Sequence, residues 1–302
     1  MSTYPGSKTY VGRFAPSPTG SLHFGSLLAA VASYLQARKS HGKWLVRIED
    51  IDPPREIAGS AEAILTDLAT LGMTADEPVL FQSHRFKAYQ QSCEQLIQSG
   101  LAYWCGCSRR DLPATGIYPG TCRNGLPPGK LPRALRVRVG DDPLSFMDKI
   151  HGEQVDDLQS SIGDFVIQRA DGVYAYQLAV VVDDAFQHVT EVVRGTDLLD
   201  STARQVWLQQ CLALPTPGYV HIPTAVLPDG SKLSKSMDSD PISRLPPAEA
   251  LRAALIFLGH EPPAGGLAST WNWAIENWSI DRLSKDRDIV VGLGNLAGKQ
   301  TK

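Results

Sequence analysis

The sequence predicts an α/β fold in which helices connect the strands of a parallel sheet. The first observation is a strand–helix–strand–helix alternation in the N-terminal part, with strand-like runs at 10–15 and 43–49. The second is that the same alternation returns after residue 162, beyond an interval of different composition. This alternation of strands and helices is typical of parallel strands joined by crossover helices. Composition agrees, because 43% hydrophobic and 20% charged residues in a chain of 302 are enough for a sizeable buried core.

The first strand ends at a loop that fits neither a helix nor a central strand. Residues 16–20 are Pro-Ser-Pro-Thr-Gly, and the two prolines make this loop rigid. Apolar residues then recur at helical spacing over 27–35 and predict a helix. The N-terminus of that helix offers unpaired N–H groups and partial positive charge, which suit a nucleotide phosphate. His23 would donate to phosphate oxygens and Gly25 would admit the nucleotide, although such a joint is also a common structural feature.

The remaining elements continue the pattern. Asp183-Asp184 is interpreted either as a magnesium site or as a structural pair at a strand end, and three tryptophans near 271–278 are interpreted as packing residues of a helical unit. The other predicted elements are a helix at 60–71, strands at 165–169, 174–182 and 188–194, a helix at 201–212, a strand at 221–226 and a helix at 248–258.

The alternation of strands and helices stops over residues 101–162, which are rich in prolines, glycines, cysteines and arginines. We interpret this interval as an insertion. Cys105, Cys107 and Cys122 lie within it. An odd cysteine count with this clustering favours a metal over disulfides in a reducing compartment. Three thiolates suit zinc, which needs a fourth ligand, and no histidine lies between these cysteines. A metal-free group of thiols is the alternative.

Charge is distributed unevenly along the chain. The net charge of −3 gives no overall basic footprint for nucleic acid, yet residues 109–138 contain seven basic residues and one acidic residue, a local charge of +6. We interpret this segment either as a solvated face or as a surface that contacts RNA phosphates. The adjacent candidate metal site favours phosphate contact. Cys93 and Cys211 lie in helix-like segments and are expected to be core thiols.

A second phosphate-handling motif is Lys232-Leu233-Ser234-Lys235-Ser236, which follows a Pro-Asp-Gly turn signal. Its lysines could neutralise the β- and γ-phosphates of ATP, although the pentapeptide alone is typical of any exposed loop. Together with His23-Phe24-Gly25-Ser26, in this order, it resembles the paired signatures of class I aminoacyl-tRNA synthetases. The resemblance implies a Rossmann-type catalytic domain that uses ATP with Mg²⁺. It assigns catalysis to His23, Gly25, Lys232 and Lys235, and ATP contact to His23, Gly25 and Lys235.

Flanking segments narrow the resemblance to the glutamyl-tRNA synthetase subclass, namely residues 13–20, 46–52, 176–184 and 192–197. An arginine suits a carboxylate because its planar fork binds both oxygens, and a glutamate suits the substrate ammonium group. From the residues alone, the favoured interpretation of Glu49 is a surface carboxylate paired with Arg47 or Arg55. The resemblance implies a pocket for L-glutamate formed by Arg13, Phe14, Ala15, Pro16, Ser17, Glu49, Tyr176 and Arg194.

The cysteine interval extends the resemblance to the glutamyl-Q tRNA(Asp) synthetases, truncated paralogues of that subclass. Their zinc site is completed by a tyrosine separated by three residues from the last cysteine, which implies the structural ligand set Cys105, Cys107, Tyr118 and Cys122. The resemblance also implies transfer of activated glutamate onto queuosine at the wobble position of tRNA-Asp. About sixty-six residues follow Ser236, fewer than the anticodon-binding region of the full-length subclass would need.

We therefore expect residues 1–240 to form the catalytic domain, with a zinc-bearing insertion at about 101–162. Residues 241–302 are expected to form a helical unit similar to the stem-contacting unit of the family, without an anticodon-binding domain. No apolar run is long enough to cross a bilayer and no secretory signal is evident, so we expect a cytoplasmic protein without an obligate protein partner. Two other functions stay open: a compact glutamyl-tRNA synthetase that charges a tRNA 3′ end, and a non-catalytic zinc-bearing RNA-binding paralogue.

Overall fold

The computed structural model describes residues 9–231 and 245–291. None of the helices in these ranges is both long and apolar enough to span a membrane. The strands are β1 (Val11–Phe14), β2 (Lys43–Ile48), β3 (Leu80–Phe81), β4 (Ala102–Cys105), β5 (Ala134–Val137), β6 (Leu144–Asp148), β7 (Gly152–Asp156), β8 (Phe165–Gln168), β9 (Glu191–Gly195), β10 (Gly218–Ile222), β11 (Thr224–Val226) and β12 (Asp288–Val290). The α-helices are α1 (Phe24–Lys39), α2 (Ser60–Thr70), α3 (Phe86–Gln98), α4 (Leu158–Ser161), α5 (Tyr176–Phe186), α6 (Leu199–Cys211), α7 (Pro247–Phe257) and α8 (Leu267–Asn277).

A mostly parallel sheet organises the molecule. β1, β2 and β3 pair in parallel, as do β9, β10 and β6, while β7 is antiparallel to β6. The two groups of strands lie side by side because Thr190, just before β9, is bonded to Val11 of β1: the Thr190 N–H donates to the Val11 carbonyl at 2.9 Å, and the Val11 N–H donates to the Thr190 hydroxyl at 2.9 Å. The predicted α/β fold with a parallel sheet is confirmed.

Helices cover both faces of this sheet, and strand alternation decides which side chain points to which face. On β2, Trp44 and Val46 join the core beneath α1, α7 and α8, whereas Leu45 joins the opposite core with α3, α5 and α6. On β9, Val193 faces the first core and Val192 the second. Burial on both faces explains why these strands are continuous apolar runs rather than alternating patterns.

One predicted strand is wrong. Residues 174–182 contribute to helix α5, which continues to Phe186, so Asp183 and Asp184 lie inside a helix and not at a strand end. The helix is buried along almost its whole length, from Gln177 to Asp184. An element buried on all sides has no polar stripe, and its run of β-branched Val180 to Val182 cannot be told from a strand by periodicity.

The interval 101–162 contributes to two different sheets. β4, β5 and β8 form a separate antiparallel sheet in which Cys105 of β4 is paired with Ala134 of β5. β6 and β7, from the same interval, belong instead to the main sheet. The cysteine-bearing unit is therefore the excursion 106–133 between two paired strands.

The C-terminal helices pack on α1 within the main core. The indole N–H of Trp271 donates to the Leu71 carbonyl, and that of Trp278 donates to the Gln36 side chain, both at 2.8 Å. Packing is thus the role of these two tryptophans. β12 then returns to pair in parallel with β11, an element that the sequence pattern did not reveal.

Candidate active site

A cavity of about 1020 Å³ opens where β1, β2 and β9 end and α1 begins. Ligands of open α/β sheets bind at this edge, beyond the carboxyl ends of the strands. Lys232 and Lys235 lie outside the described residues. The other predicted substrate-binding and catalytic residues all line the cavity: Arg13, Phe14, Ala15, Pro16, Ser17, His23, Gly25, Glu49, Tyr176 and Arg194.

Arg13 is held at the floor of the cavity by a carboxylate on α5. Its Nε donates to Asp184 Oδ1 at 3.1 Å, and Arg47 Nη2 donates to the same oxygen at 2.6 Å. All three side chains are buried. Burial alone would raise the pKa of Asp184, but the charges of Arg13 and Arg47 outweigh it and hold that pKa below its ordinary value. Asp184 thus stays ionised and orients Arg13.

Glu49 follows β2 and faces the same cavity. Its N–H donates to the Pro16 carbonyl at 2.9 Å, which ties the rigid loop to the end of the strand. Its side chain is only 8% exposed, and its Oε1 has no hydrogen-bond partner within the described part of the chain. Burial raises the pKa of Glu49 to about 7, against the lowering effect of Arg47 and Arg13. The surface-carboxylate interpretation is wrong, since Arg55 is paired with Asp52 instead.

Arg194, on β9, is a further charged residue of the cavity lining. Its Nη1 lies 3.4 Å from the hydroxyl of Tyr176, the first residue of α5, which accepts from it. Its Nε donates to His221 Nε2 at 3.0 Å and its Nη2 to Thr202 Oγ1 at 2.8 Å. Arg194 is 4% exposed, so its position is set by these partners rather than by solvent.

His23 caps α1 at the edge of the cavity. The Ser26 N–H donates to His23 Nδ1 at 3.2 Å, so the ring nitrogen is an acceptor and the proton belongs on Nε2. Burial lowers the pKa of His23, which keeps the imidazole neutral at pH 7. A Cβ on Gly25 would lie 3.3 Å from this ring, so a side chain there would crowd the capping imidazole.

Sequence reasoning left Asp184 undecided and treated Arg47 only as a surface partner of Glu49. Both are buried. The sequence could have indicated that Arg47 is buried beside Glu49, because residues two apart on a strand share a face and Arg47 precedes Glu49 by two. Asp184 gave no such signal, because its side chain meets β1 and β2 only after α5 folds as a helix. Asp183 accepts from Gln82 and Tyr89, which leaves it a structural carboxylate.

Three cysteine sulfurs lie close together at the cysteine-bearing excursion. One belongs to Cys105, the last residue of β4, and the other two belong to Cys107 and Cys122 within residues 106–133. The Sγ atoms of Cys105, Cys107 and Cys122 all lie within 4.8 Å of one another, and those of Cys107 and Cys122 are 3.7 Å apart. Two thiolates on one tetrahedral zinc ion lie about 3.8 Å apart, given Zn–S bonds of about 2.3 Å. The Tyr118 hydroxyl lies 3.3 Å from Cys105 Sγ and 3.8 Å from Cys107 Sγ. This donor set fits a zinc ion.

The basic segment 109–138 is only partly a surface feature. Arg123 pairs with Asp164, Arg136 lies 3.8 Å above the ring of Tyr118, and Arg138 donates to the Arg123 carbonyl. These guanidinium groups hold the excursion on its sheet. The exposed bases of the segment are Arg109, Arg110, Lys130 and Arg133.

Two solved structures of similar fold are those of a glutamate-tRNA synthetase and a glutamate tRNA ligase. The glutamate-tRNA synthetase of Elizabethkingia anophelis has a TM-score of 0.80 at 23% identity, over 96% of this chain and 69% of that one. The glutamate tRNA ligase of Elizabethkingia meningosepticum has a TM-score of 0.79 at 24% identity, over 92% and 66% of the two chains. At this identity the likeness concerns the fold.

Sequence comparison is more specific. The family model of the class I tRNA synthetase (E and Q) catalytic domain matches residues 10–115 and 128–256. The glutamyl-Q tRNA(Asp) synthetase of Aromatoleum aromaticum is 50% identical over 282 residues, covering 90% of this chain and 89% of that protein. The protein of the same name from Dechloromonas aromatica is 48% identical over 295 residues, covering 93% and 98%. The chain therefore belongs to the class I aminoacyl-tRNA synthetase-like ligases and, among them, to the glutamyl-Q tRNA(Asp) synthetase family.

Proposed function

We propose that this protein activates L-glutamate with ATP and transfers the glutamyl group to queuosine in the anticodon loop of tRNA-Asp. The observation that carries the first step is the cavity at the α1 N-terminus, which Arg13 and Arg194 line together with Glu49, whose Oε1 has no hydrogen-bond partner among the described residues. Support for the acceptor comes from the relatives, which are named for a glutamyl-Q tRNA(Asp) activity.

The charges of the cavity match glutamate. Among the buried groups, Arg13, Glu49 and Arg194 line the cavity, and Arg47 and Asp184 stand behind Arg13. These three guanidinium groups and two carboxylates leave one positive charge when both carboxylates are ionised. Bound glutamate carries two carboxylates and one ammonium group, a net charge of −1, which would balance this buried group. Glutamine is neutral and would leave a buried guanidinium without a partner, a strong basis for rejection.

In the activation step, an oxygen of the glutamate α-carboxylate attacks the α-phosphorus of ATP. The bond from that phosphorus to the β-phosphate bridging oxygen breaks, and pyrophosphate leaves with the electron pair. The α1 N-terminus and the His23 ring, whose Nε2 lies 2.8 Å from the Ser26 hydroxyl, line the cavity and would stabilise the charge that develops on the phosphates. Lys232 and Lys235 would neutralise the β- and γ-phosphates, and Mg²⁺ would accompany the nucleotide.

In the transfer step, a hydroxyl oxygen of the queuosine cyclopentenediol attacks the carbonyl carbon of glutamyl-adenylate. The carbonyl–phosphate bond breaks, AMP leaves with the electron pair, and the hydroxyl proton passes to the departing phosphate or to solvent. Neither step needs a protein nucleophile, so the side chains act by positioning and by electrostatic stabilisation.

Zinc would have a structural role. Cys105, Cys107, Cys122 and Tyr118 would hold the ion and lock the excursion 106–133, which has few apolar residues of its own to bury. Its exposed Arg109, Arg110 and Arg133 would then be available to RNA phosphates.

Glutamate-dependent exchange of labelled pyrophosphate into ATP, without any tRNA, tests the activation step. We expect exchange with glutamate and little with glutamine or aspartate. Absence of glutamate-dependent exchange would reject both enzymatic functions and leave the non-catalytic RNA-binding alternative.

The acceptor is tested with labelled glutamate and three forms of tRNA-Asp. These contain queuosine, contain unmodified guanosine at the wobble position, or contain queuosine but lack the 3′-terminal adenosine. We expect labelling of the first and third forms only. Labelling of the first and second, but not the third, would instead establish a compact glutamyl-tRNA synthetase that charges the 3′ end.

A further inference from the structure

Two fully buried side chains stand behind Arg194, outside the cavity. His221 on β10 is 0% exposed and Asp148 at the end of β6 is 1% exposed. Neither lines the cavity, so neither can touch a substrate held there. They nevertheless form a continuous hydrogen-bonded chain with Arg194, which does line it.

The hydrogen bonds fix the protonation state of His221. An arginine can only donate, so the 3.0 Å contact from Arg194 Nε requires His221 Nε2 to be an acceptor. The proton then belongs on Nδ1, which lies 2.7 Å from Asp148 Oδ2 and donates to it. Burial lowers the pKa of His221 to about 4, so the ring is neutral at pH 7, in agreement with this tautomer.

Asp148 is itself immobilised. Its Oδ1 accepts the backbone N–H groups of Ile150 at 2.9 Å and His151 at 2.8 Å, and its Oδ2 also accepts the His221 N–H at 3.1 Å. With both oxygens committed, the carboxylate cannot rotate away. The orientation of the imidazole is therefore determined by a turn of the main sheet.

The same network occupies one edge of the Arg194 guanidinium, the edge formed by Nε and Nη2. Nε is bonded to His221, while Nη2 donates to Thr202 Oγ1 at 2.8 Å and lies 3.4 Å from the Leu198 carbonyl. Nη1 is left to face the cavity beside the Tyr176 hydroxyl. An arginine held on one edge in this way has lost most of its rotamer freedom before any substrate arrives.

We propose that Asp148 and His221 are positioning residues that set the affinity for glutamate by locking Arg194 in its binding orientation. The inference rests on the proposed function, in which Arg194 binds a carboxylate of glutamate. The Asp148 carboxylate selects the Nδ1–H tautomer, and this tautomer presents a lone pair to Arg194. The opposite tautomer would set N–H against N–H and push the guanidinium out of place.

Asp148→Asn is the sharpest test, because it keeps the shape and reverses the polarity. The amide N–H₂ group would face His221 Nδ1, which then becomes the acceptor, and the proton moves to Nε2. In the exchange assay we expect the KM for glutamate to rise roughly ten- to hundredfold, the range for a lost hydrogen bond to a charged group, with the KM for ATP unchanged. His151→Gln is the matched control: its ring is hydrogen-bonded to the backbone carbonyl of His221, at 3.0 Å, and the change should leave both values unchanged.

Two further variants keep the proposal testable if Asp148→Asn folds poorly. His221→Gln can place its amide oxygen near the former Nε2 and accept from Arg194, so it should retain more affinity for glutamate than His221→Leu. Thr202→Val removes the hydroxyl beside Nη2 and should raise the KM for glutamate alone.

Nitrogen-15 NMR of the histidine rings supplies a readout that a merely structural role would not move. The wild type should show His221 protonated at Nδ1, and Asp148→Asn should show it protonated at Nε2. A changed tautomer with an unchanged KM for glutamate would overturn the proposal, as would equal rises in both KM values. A wild type without glutamate-dependent exchange would reject the proposed function itself, which separates the two failures.

Discussion

The side chain of Glu49 is buried, and its Oε1 has no hydrogen-bond partner within the described ranges. Burial raises its pKa from an ordinary 4.5 to about 7. In Glu49→Gln the charge is removed and the shape is kept. The difference between the two pKa values corresponds to about 3 kcal/mol of unfavourable free energy that the folded wild type carries when Glu49 is ionised.

The pH dependence follows from the direction of this pKa change. Folded Glu49 holds its proton more tightly than unfolded Glu49, so below about pH 4.5 both states are protonated and the carboxyl group costs no stability. Between pH 4.5 and 7 the unfolded state ionises first, and the wild type loses stability as the pH rises. Above about pH 7 the full destabilisation is present.

We therefore expect Glu49→Gln to raise the free energy of unfolding by about 3 kcal/mol at pH 8 and by less than about 1 kcal/mol at pH 5. For a chain of this size the former corresponds to a Tm higher by roughly 5 °C. The same variant should raise the KM for glutamate roughly ten- to hundredfold in the exchange assay, because the substrate ammonium group loses its charged partner.

Denaturant unfolding at the two pH values, beside exchange kinetics, measures both effects. Glu261→Gln, at an exposed carboxylate, is the control and should change neither. A stability difference that is equal at pH 5 and pH 8 would refute the electrostatic reasoning, and an unchanged KM for glutamate would refute the assignment of Glu49 to the ammonium group.

Three further predictions concern other parts of the fold. Arg13→Lys loses the planar fork and the bond to Asp184, so the KM for glutamate should rise at least roughly tenfold, as exchange kinetics would measure. Cys122→Ser should purify with little zinc by elemental analysis, whereas the remote Cys93→Ser should retain it; equal zinc in both would disprove the ligand set. Gly42→Ala places a Cβ 2.3 Å from the Tyr10 carbonyl and should destabilise the fold by about 1–3 kcal/mol in urea. Gly266→Ala should cost far less, because among the described residues no atom beyond its immediate surroundings in the chain lies within 4 Å of the added Cβ.

The sequence predicted the parts of this fold that local pattern determines. β1, the rigid loop and α1 follow from proline chemistry and helical spacing, and the candidate site residues carried by these elements lie together along one cavity. The strand predicted over residues 174–182 was wrong because an all-round buried helix gives no amphipathic signal.

Contacts between distant residues could not be predicted from pattern. Arg13 meets Asp184 across 171 positions, and His221 meets Asp148 across 73. Each pairing depends on strand order and on the direction of a buried side chain, which exist only after the sheet has assembled. The cysteine group could be predicted from spacing because its three residues lie close together along the chain.

The pairing of Cys105 with Ala134 has a consequence for how this protein could change. The chain leaves one strand and re-enters its neighbour at adjacent positions, so residues 106–133 form a closed side branch of the sheet. Lengthening or shortening such a branch adds only a slowly growing closure entropy and shifts no strand register. Asp148 and the residues proposed to bind glutamate lie outside this branch, so the surface proposed to contact RNA could be exchanged as a unit while the cavity stays intact.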